Sequence, residues 1–168
     1  MLKVTKFGGS SMADAGQYRK IREIISSDPH RRVVIVSAAG KRDSSDHKIT
    51  DLLYLCYAHI QYGVDCSQIF DLITTRYLQI RDELGIKLDL ETEFAELKRR
   101  LDAKSISQDE LASRGEYFSA KLMAQYLGFQ FIDSANWVHF NYDGTVDQKT
   151  SYDALRKQMP LKGGVVIP

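Results

Sequence analysis

The feature that most constrains the fold is a run of four consecutive β-branched residues, Val33–Val36. A strand that is apolar on both sides is typical of a sheet covered on both faces, and such sheets are usually parallel. A strand-like pattern at Leu2–Phe7 and a helical pattern over Asp14–Ser27 precede this run. The order strand, helix, buried strand predicts a right-handed βαβ unit within a parallel sheet.

Further elements follow in an order that fits an α/β domain. We predict helices over Ile49–Tyr62, Asp65–Leu84, Thr92–Leu101, and from the capping box Ser107–Glu110 to Leu127. We predict strands at Phe129–Asp133, Trp137–Asn141 and Val165–Ile167, and a short helix at Asp153–Met159. Because the stretch between residues 50 and 128 is mostly helical, we expect it to pack on one face of the sheet.

Composition and charge exclude several classes of function. The chain has 168 residues, which suits one domain, and 43% of them are hydrophobic, enough for a core. Its formal net charge is +1, whereas nucleic-acid binders usually carry a strongly basic patch. The sequence contains no run of 18 apolar residues and no signal-peptide core. We therefore expect a cytoplasmic protein that binds neither nucleic acid nor membrane.

The cysteines and histidines form no recognisable metal or redox motif. Cys56 and Cys66 lie in helical patterns without a CxxC partner, so we expect two buried thiols rather than a disulfide. The spacings of the four histidines fit no HExxH-type site. We predict no metal-binding residue in the chain.

The loop after the first strand is the first motif that suggests chemistry; it reads KFGGSS from Lys6 to Ser11. The paired glycines Gly8 and Gly9 permit positive φ angles and close backbone approach, so that successive N–H groups can bind one anion. Lys6 offers an ammonium group and Ser10 a hydroxyl. The motif is neither a Walker A loop nor a GxGxxG fingerprint. A plain turn beside an exposed lysine remains the alternative interpretation.

A second motif follows the buried strand, where small residues in Val36–Lys41 leave space for a ligand and Ser37 offers a hydroxyl. Thr50 lies near the start of the next predicted helix. Both residues can instead serve local structure, Ser37 in a turn and Thr50 as a helix N-cap.

The third motif, Ala112–Tyr117, places a glycine inside a predicted helix. Gly115 costs about 1 kcal/mol there relative to alanine. A helix tolerates that cost where backbone or a carboxylate, here that of Glu116, must approach a ligand. Arg114 and Glu116 are two residues apart and so point to different faces. The alternative is an ordinary solvated charge on a helix surface.

Taken together, these motifs resemble those of the aspartate kinase family. KFGGSS, VSAAGKR, KITDLL and SRGEYFSAKLMA occur in the family's order across nearly the whole chain. KFGGSS is similar to the family's specific KFGG[TS]S signature, whereas acetylglutamate, uridylate and glutamate kinases share the fold but usually differ at this loop. The resemblance implies an α/β fold, the three-layer αβα sandwich of amino acid kinases with a mainly parallel sheet. Residues 1–168 would form its amino-terminal, acceptor-binding lobe.

The resemblance also implies an activity and roles for individual residues. The activity is ATP-dependent phosphorylation of the β-carboxylate of L-aspartate, the first step of the aspartate-family amino-acid pathway. Lys6 matches the catalytic lysine that contacts the transferring phosphoryl group. The positions that match the loop binding the ATP phosphates are Lys6, Gly8, Gly9 and Ser10. The positions that match aspartate-binding residues are Ser37, Thr50 and Glu116, with Glu116 on the α-ammonium group, and Ser113 is a weaker match nearby.

Other parts of the family's enzymes have no counterpart in this sequence. The nucleotide lobe and the regulatory ACT domains are absent, and Val165–Ile167 is followed at once by Pro168. We therefore expect these 168 residues to be inactive alone. In the complete enzyme the resemblance implies ATP with Mg²⁺, L-aspartate as acceptor, and a homo-oligomer. Two alternatives stay open: a non-catalytic short form that binds an amino acid or a partner, and a sibling carboxylate kinase with another acceptor.

Overall fold

A parallel four-stranded sheet forms the centre of the protein, and the computed structural model describes all 168 residues. The strands are β1 (Lys3–Phe7), β2 (Arg31–Val36), β3 (Gln130–Phe131) and β4 (Val165–Ile167). Their order across the sheet is β1-β2-β4-β3, and every neighbouring pair is parallel. The parallel sheet that the Val33–Val36 run predicts is confirmed.

Six helices accompany the sheet. They are α1 (Ala15–Ser26), α2 (Ile49–Gln61), α3 (Ser67–Glu83), α4 (Glu91–Asp102), α5 (Gln108–Leu127) and α6 (Gln148–Gln158). Two short 3₁₀ turns lie at Gly9–Met12 and Ser134–Asn136. None of the helices has the length and apolar character that a membrane span requires.

The two faces of the sheet are covered by different helices. On one face, Val34 and Val166 belong to a core of 29 buried residues that also draws on α1 to α5. On the other face, Val165 and Ile167 form a smaller cluster against Leu155 of α6. This alternation follows from the two-residue period of a strand. The predicted αβα layering is confirmed, as is the expectation that the central helices share one face.

Three aromatic rings join α3, α4 and α5 at the centre of the larger core. The ring centroid of Phe118 lies 4.6 Å from that of Phe94 and 5.7 Å from that of Tyr77. Such tilted pairs add to the free energy gained by burial. Cys56 and Cys66 are buried in the same core as free thiols, as predicted.

One predicted strand is wrong. Residues 137–141 form no strand; a single antiparallel bridge joins Phe140 to Val146. The chain reverses here through Gly144, whose φ is +83°, and Asn141 N–H donates to Thr145 O at 2.7 Å. Residues 137–141 therefore take part in a local reversal of the chain rather than in the sheet.

One helix start and one half of a predicted capping box differ from the predictions. Helix α6 begins at Gln148, five residues before the predicted start at Asp153. The Asp147 carboxylate caps the helix there by accepting from Thr150 N–H at 3.0 Å. At the start of α5, Ser107 Oγ accepts from Glu110 N–H at 3.1 Å. The reciprocal half of that capping box is missing, since the Glu110 carboxylate instead binds Arg100 at 2.6 Å.

We predict that Phe118→Ala lowers the free energy of unfolding by about 3–5 kcal/mol, because it removes the ring that contacts two others in the core. Chemical denaturation followed by circular dichroism measures this. Tyr62→Ala is the matched control, since Tyr62 is 86% exposed and its loss should cost less than about 0.5 kcal/mol. Equal effects of the two substitutions would contradict this description of the core.

Candidate functional site

A cleft of about 460 Å³ opens at the carboxyl ends of β1 and β2. In parallel α/β sheets ligands bind outside this end of the strands. The residues that line the cleft are Gly9, Ser10, Ser37, Ala38, Ala39, Gly40, Lys41, Lys48, Thr50 and Glu116. Three segments distant in sequence therefore meet here: the loop after β1, the loop between β2 and α2, and the middle of α5.

The cleft contains five of the seven site residues predicted from the sequence: Gly9, Ser10, Ser37, Thr50 and Glu116. Gly8 and Lys6 lie beside it rather than in its wall. Lys6 pairs with Ile35 across the sheet, and Ile35 packs with the cluster on the α6 face. Because neighbouring paired residues share a face, the exposed Lys6 projects from the face opposite α5.

The contact between the two loops depends on close backbone packing at Gly40 and not on a positive φ in the first loop. Neither Gly8 nor Gly9 has a positive φ, so that part of the sequence interpretation is wrong. Gly40 N–H donates to Gly9 O at 2.8 Å. A Cβ on Gly40 would lie 2.6 Å from the carbonyl carbon of Gly9, whereas a Cβ on Gly8 would meet nothing within 4 Å. The two loops therefore touch only because Gly40 has no side chain.

Gly115 has a similar role in placing α5. A Cβ there would lie 2.7 Å from Cβ of Ala38, so glycine allows α5 to contact the β2–α2 loop. The sequence interpretation, in which this glycine serves direct approach to a ligand, is replaced by helix packing. This contact also brings the neighbouring Glu116 to the wall of the cleft.

The polar side chains of the cleft are free of protein partners. None of the eleven ion pairs of the chain includes Glu116, Lys41 or Lys48. The hydroxyls of Ser37 and Thr50 also make no hydrogen bond within the protein. Thr50 is not the N-cap of α2, since that position belongs to Lys48. Two ammonium groups, one carboxylate and several hydroxyls thus converge on one space.

Lys41 and Lys48 are site residues that the sequence interpretation missed. Both stand inside the quoted motifs VSAAGKR and KITDLL, but no local pattern distinguishes them from ordinary surface lysines. Only the fold of the β2–α2 loop brings both to the same cleft.

A buried ion pair anchors that loop from behind. Arg76 Nη2 of α3 lies 2.5 Å from both carboxylate oxygens of Asp46, and Arg76 Nη1 donates to Gly40 O at 3.0 Å. Burial opposes ionisation of Asp46, but hydrogen bonds from Arg42 and the charge of Arg76 outweigh it and hold the pKa of Asp46 well below its usual range. A signal for Arg76 did exist, because it interrupts the apolar face formed by Ile73, Tyr77 and Ile80.

Two other cavities lie outside the cleft, one next to it and one at the other end of the strands. One of about 390 Å³ shares Glu116 with it and is also lined by Ser113 and Arg114. Ser113, the weaker match, donates to Glu110 O at 2.7 Å and does not reach the cleft. The other, of about 520 Å³, lies at the amino ends of β2 and β4, where Arg32 and Gly164 line it. No group of three His, Cys, Asp or Glu side chains in the chain is arranged to hold a metal ion.

The sequence matches known proteins over its whole length. The model of the amino acid kinase family matches residues 1–168. Aspartokinase 3 of Bacillus subtilis is 33% identical over 136 residues, which are 78% of this chain and 30% of that protein. The chloroplastic aspartokinase 1 of Arabidopsis thaliana is 28% identical over 170 residues, 94% of this chain and 29% of its length. The chain thus spans about 30% of the length of these relatives.

Solved structures share the fold. The crystal structure of Clostridium acetobutylicum aspartate kinase superposes with a TM-score of 0.94 at 42% identity, over 99% of this chain and 38% of that one. The structure of E. coli aspartokinase III, described as a complex with aspartate and ADP, gives a TM-score of 0.81 at 22% identity. It covers 99% of this chain and 40% of that chain, and at this identity it shows the fold alone.

We predict that Gly40→Ala lowers the free energy of unfolding by about 1–3 kcal/mol, because its Cβ would overlap the Gly9 carbonyl. Gly8→Ala is the matched control, with open space around the new Cβ and a φ of −80° that alanine adopts readily. Its stability should stay constant or rise by up to about 1 kcal/mol. Thermal or urea unfolding measures the stability of both variants. A Gly40→Ala protein as stable as the parent would contradict the close approach of Gly40 to Gly9.

Proposed function

Because this chain belongs to the amino acid kinase family, we propose that its cleft binds L-aspartate as the phosphoryl acceptor of an aspartate kinase. The reaction transfers the γ-phosphoryl group of ATP to the β-carboxylate and yields 4-phospho-L-aspartate and ADP. The product would enter the aspartate-family pathway toward lysine and threonine. The observation that carries this proposal is the convergence of Glu116, Lys41, Lys48 and unpartnered hydroxyls on one cleft.

The charges of the cleft suit an amino acid with two carboxylates. Glu116 is the one carboxylate in the lining and would pair with the α-ammonium group of the acceptor. Lys41 and Lys48 supply positive charge for the carboxylates, while Ser37 and Thr50 offer hydroxyl donors. Aspartate bound to E. coli aspartokinase III, together with ADP, supports this choice of ligand, since that protein shares the fold.

No general base is required for this chemistry. The side-chain carboxyl of aspartate has a reference pKa of about 3.9, so at neutral pH it is already an ionised nucleophile. Its oxygen attacks the γ-phosphorus as the bond to the ADP oxygen breaks, and the leaving electron pair stays on ADP. The rate then depends on alignment and on neutralisation of phosphate charge.

The phosphoryl side of the reaction is assigned to the loop after β1. Gly8, Gly9 and Ser10 would lie beneath the phosphates, and Lys6 would neutralise the transferring group. Lys6 projects from the sheet face opposite α5, so phosphate and acceptor would approach the edge of the sheet from two sides. Mg²⁺ enters with ATP as part of the substrate complex.

We assign residues 1–168 to the acceptor-binding lobe. The surface for the nucleotide base and any ACT domain would lie outside these residues, consistent with the 38% of the C. acetobutylicum chain that they cover. Within the complete enzyme we propose a homo-oligomer in the cytoplasm.

This division of the enzyme predicts that a polypeptide of residues 1–168 has no aspartate-dependent ATP turnover. Hydroxylamine traps aspartyl phosphate as the hydroxamate and gives a sensitive assay. The full-length gene product serves as the positive control, and L-glutamate as the competing acceptor identifies a sibling carboxylate kinase. Hydroxamate formed by residues 1–168 alone would contradict the lobe assignment.

Two substitutions in the full-length gene product separate binding from chemistry. Glu116→Gln should raise KM for L-aspartate ten- to hundredfold with a smaller change in kcat, because the ammonium group is present in ground and transition states alike. Lys6→Met should lower kcat by about a hundredfold, because charge on the phosphoryl oxygens rearranges only as the bond breaks.

Steady-state kinetics measure both effects. Glu83→Gln and Lys20→Met are matched controls, since each changes an exposed residue of the same type away from the cleft. A Lys6→Met enzyme whose kcat stays within a few-fold of the parent would show that Lys6 does not contact the transferring phosphate.

A further inference from the structure

Helix α3 lies behind the cleft and contributes no residue to its lining. Two consecutive residues on its buried face, Arg76 and Tyr77, nevertheless contact the backbone of the cleft walls. The Arg76 side chain is 5% exposed and Tyr77 is fully buried. Buried side chains with such polar contacts are costly to disturb, because their partners cannot turn to water instead.

Arg76 holds the wall formed by the β2–α2 loop. Its guanidinium spans two points of that loop, Gly40 O at 3.0 Å and the Asp46 carboxylate at 2.5 Å. Gly40 in turn donates through its N–H to Gly9 O. Arg76 is therefore separated from the loop after β1 by a single residue, although it lies 67 positions away from Gly9 in the sequence.

Tyr77 holds the opposite wall, formed by α5. Its hydroxyl donates to Gly115 O at 2.7 Å, one residue before Glu116. Gly115 is also the point where α5 touches Ala38 of the loop. The adjacent side chains of Arg76 and Tyr77 therefore contact both walls of the cleft, close to the point where Gly115 and Ala38 bring the walls together.

We propose that Arg76 and Tyr77 are positioning residues that together set the distance between Glu116 and the Ser37–Lys41 segment. The proposal rests on the proposed function only in naming L-aspartate as the ligand. Adjacent residues of a helix keep a fixed separation, so the two contacts fix the walls relative to one rigid element. Neither residue touches the ligand.

The first test needs no ligand. Amide hydrogen exchange at Gly40 reports whether its hydrogen bond to Gly9 O persists. Arg76→Met should speed Gly40 exchange at least tenfold, because the loop loses its anchor. The control is Arg81→Met on the same helix. It removes the 2.6 Å ion pair between Arg81 and Glu91, and Arg81 does not line the cleft. Equal Gly40 exchange in the two variants would overturn the role of Arg76.

The second test measures the dissociation constant of L-aspartate by calorimetry, alongside the melting temperature. Arg76→Met and Tyr77→Phe should each weaken binding about tenfold, and Arg76→Lys should recover part of the affinity by keeping a donor to Gly40. Tyr18→Phe is the control for Tyr77→Phe, since it also removes a buried hydroxyl that binds α5, at Ser119 O. It should lower the melting temperature by a similar amount with less than a twofold change in affinity.

The outcomes separate the two proposals. If the parent protein binds no L-aspartate, the proposed function fails, and Gly40 exchange still decides the positioning role. If L-aspartate binds and Tyr77→Phe changes its affinity no more than Tyr18→Phe does, the positioning role fails while the proposed function stands. Should Arg76→Met not fold, Arg76→Lys and Tyr77→Phe carry both measurements.

Discussion

The site depends on one backbone hydrogen bond, from Gly40 N–H to Gly9 O, which joins the loops that follow β1 and β2. Parallel pairing of β1 with β2 puts the ends of both strands at one edge of the sheet, and Gly40 leaves no side chain to separate the loops. The remaining parts of the cleft are placed relative to this contact. Gly115 brings α5 against the second loop, and Glu116 then faces the space that both loops enclose.

The sequence predicts the elements better than their ends. The Val33–Val36 run and the helical periods require only local information, and each has the predicted place in the structure. The start of α6 depends on the Asp147 cap, which stands in a polar stretch with no apolar period to mark it. The wrong strand at 137–141 has the opposite cause: apolar residues lie in a segment that turns back on itself instead of pairing with the sheet.

The residues of the site also divide into those that the sequence predicts and those that only the structure reveals. Residues at strand ends, such as Gly9 and Ser37, are predictable because ligands bind at the carboxyl ends of parallel strands. The place of Lys41 in the cleft is not, since it follows from contacts between segments far apart in sequence. The sequence marks Arg76 as a charge within an apolar helix face, but its contact with Gly40 is visible only in the structure. The cost of a glycine in a helix marks Gly115 as unusual in the sequence, while its contact with Ala38 is visible only in three dimensions.

The proposed function requires that the cleft between the two loops and α5 bind L-aspartate through its ammonium group. A titration of the ¹⁵N-labelled protein with L-aspartate, and separately with succinate, tests it most directly, since succinate lacks that group. We expect L-aspartate to shift the amide signals of Gly9, Ser37, Thr50 and Glu116, and succinate to shift them only at far higher concentration. Shifts at the opposite cavity near Arg32 and Gly164, or equal affinities for the two ligands, would contradict the claim.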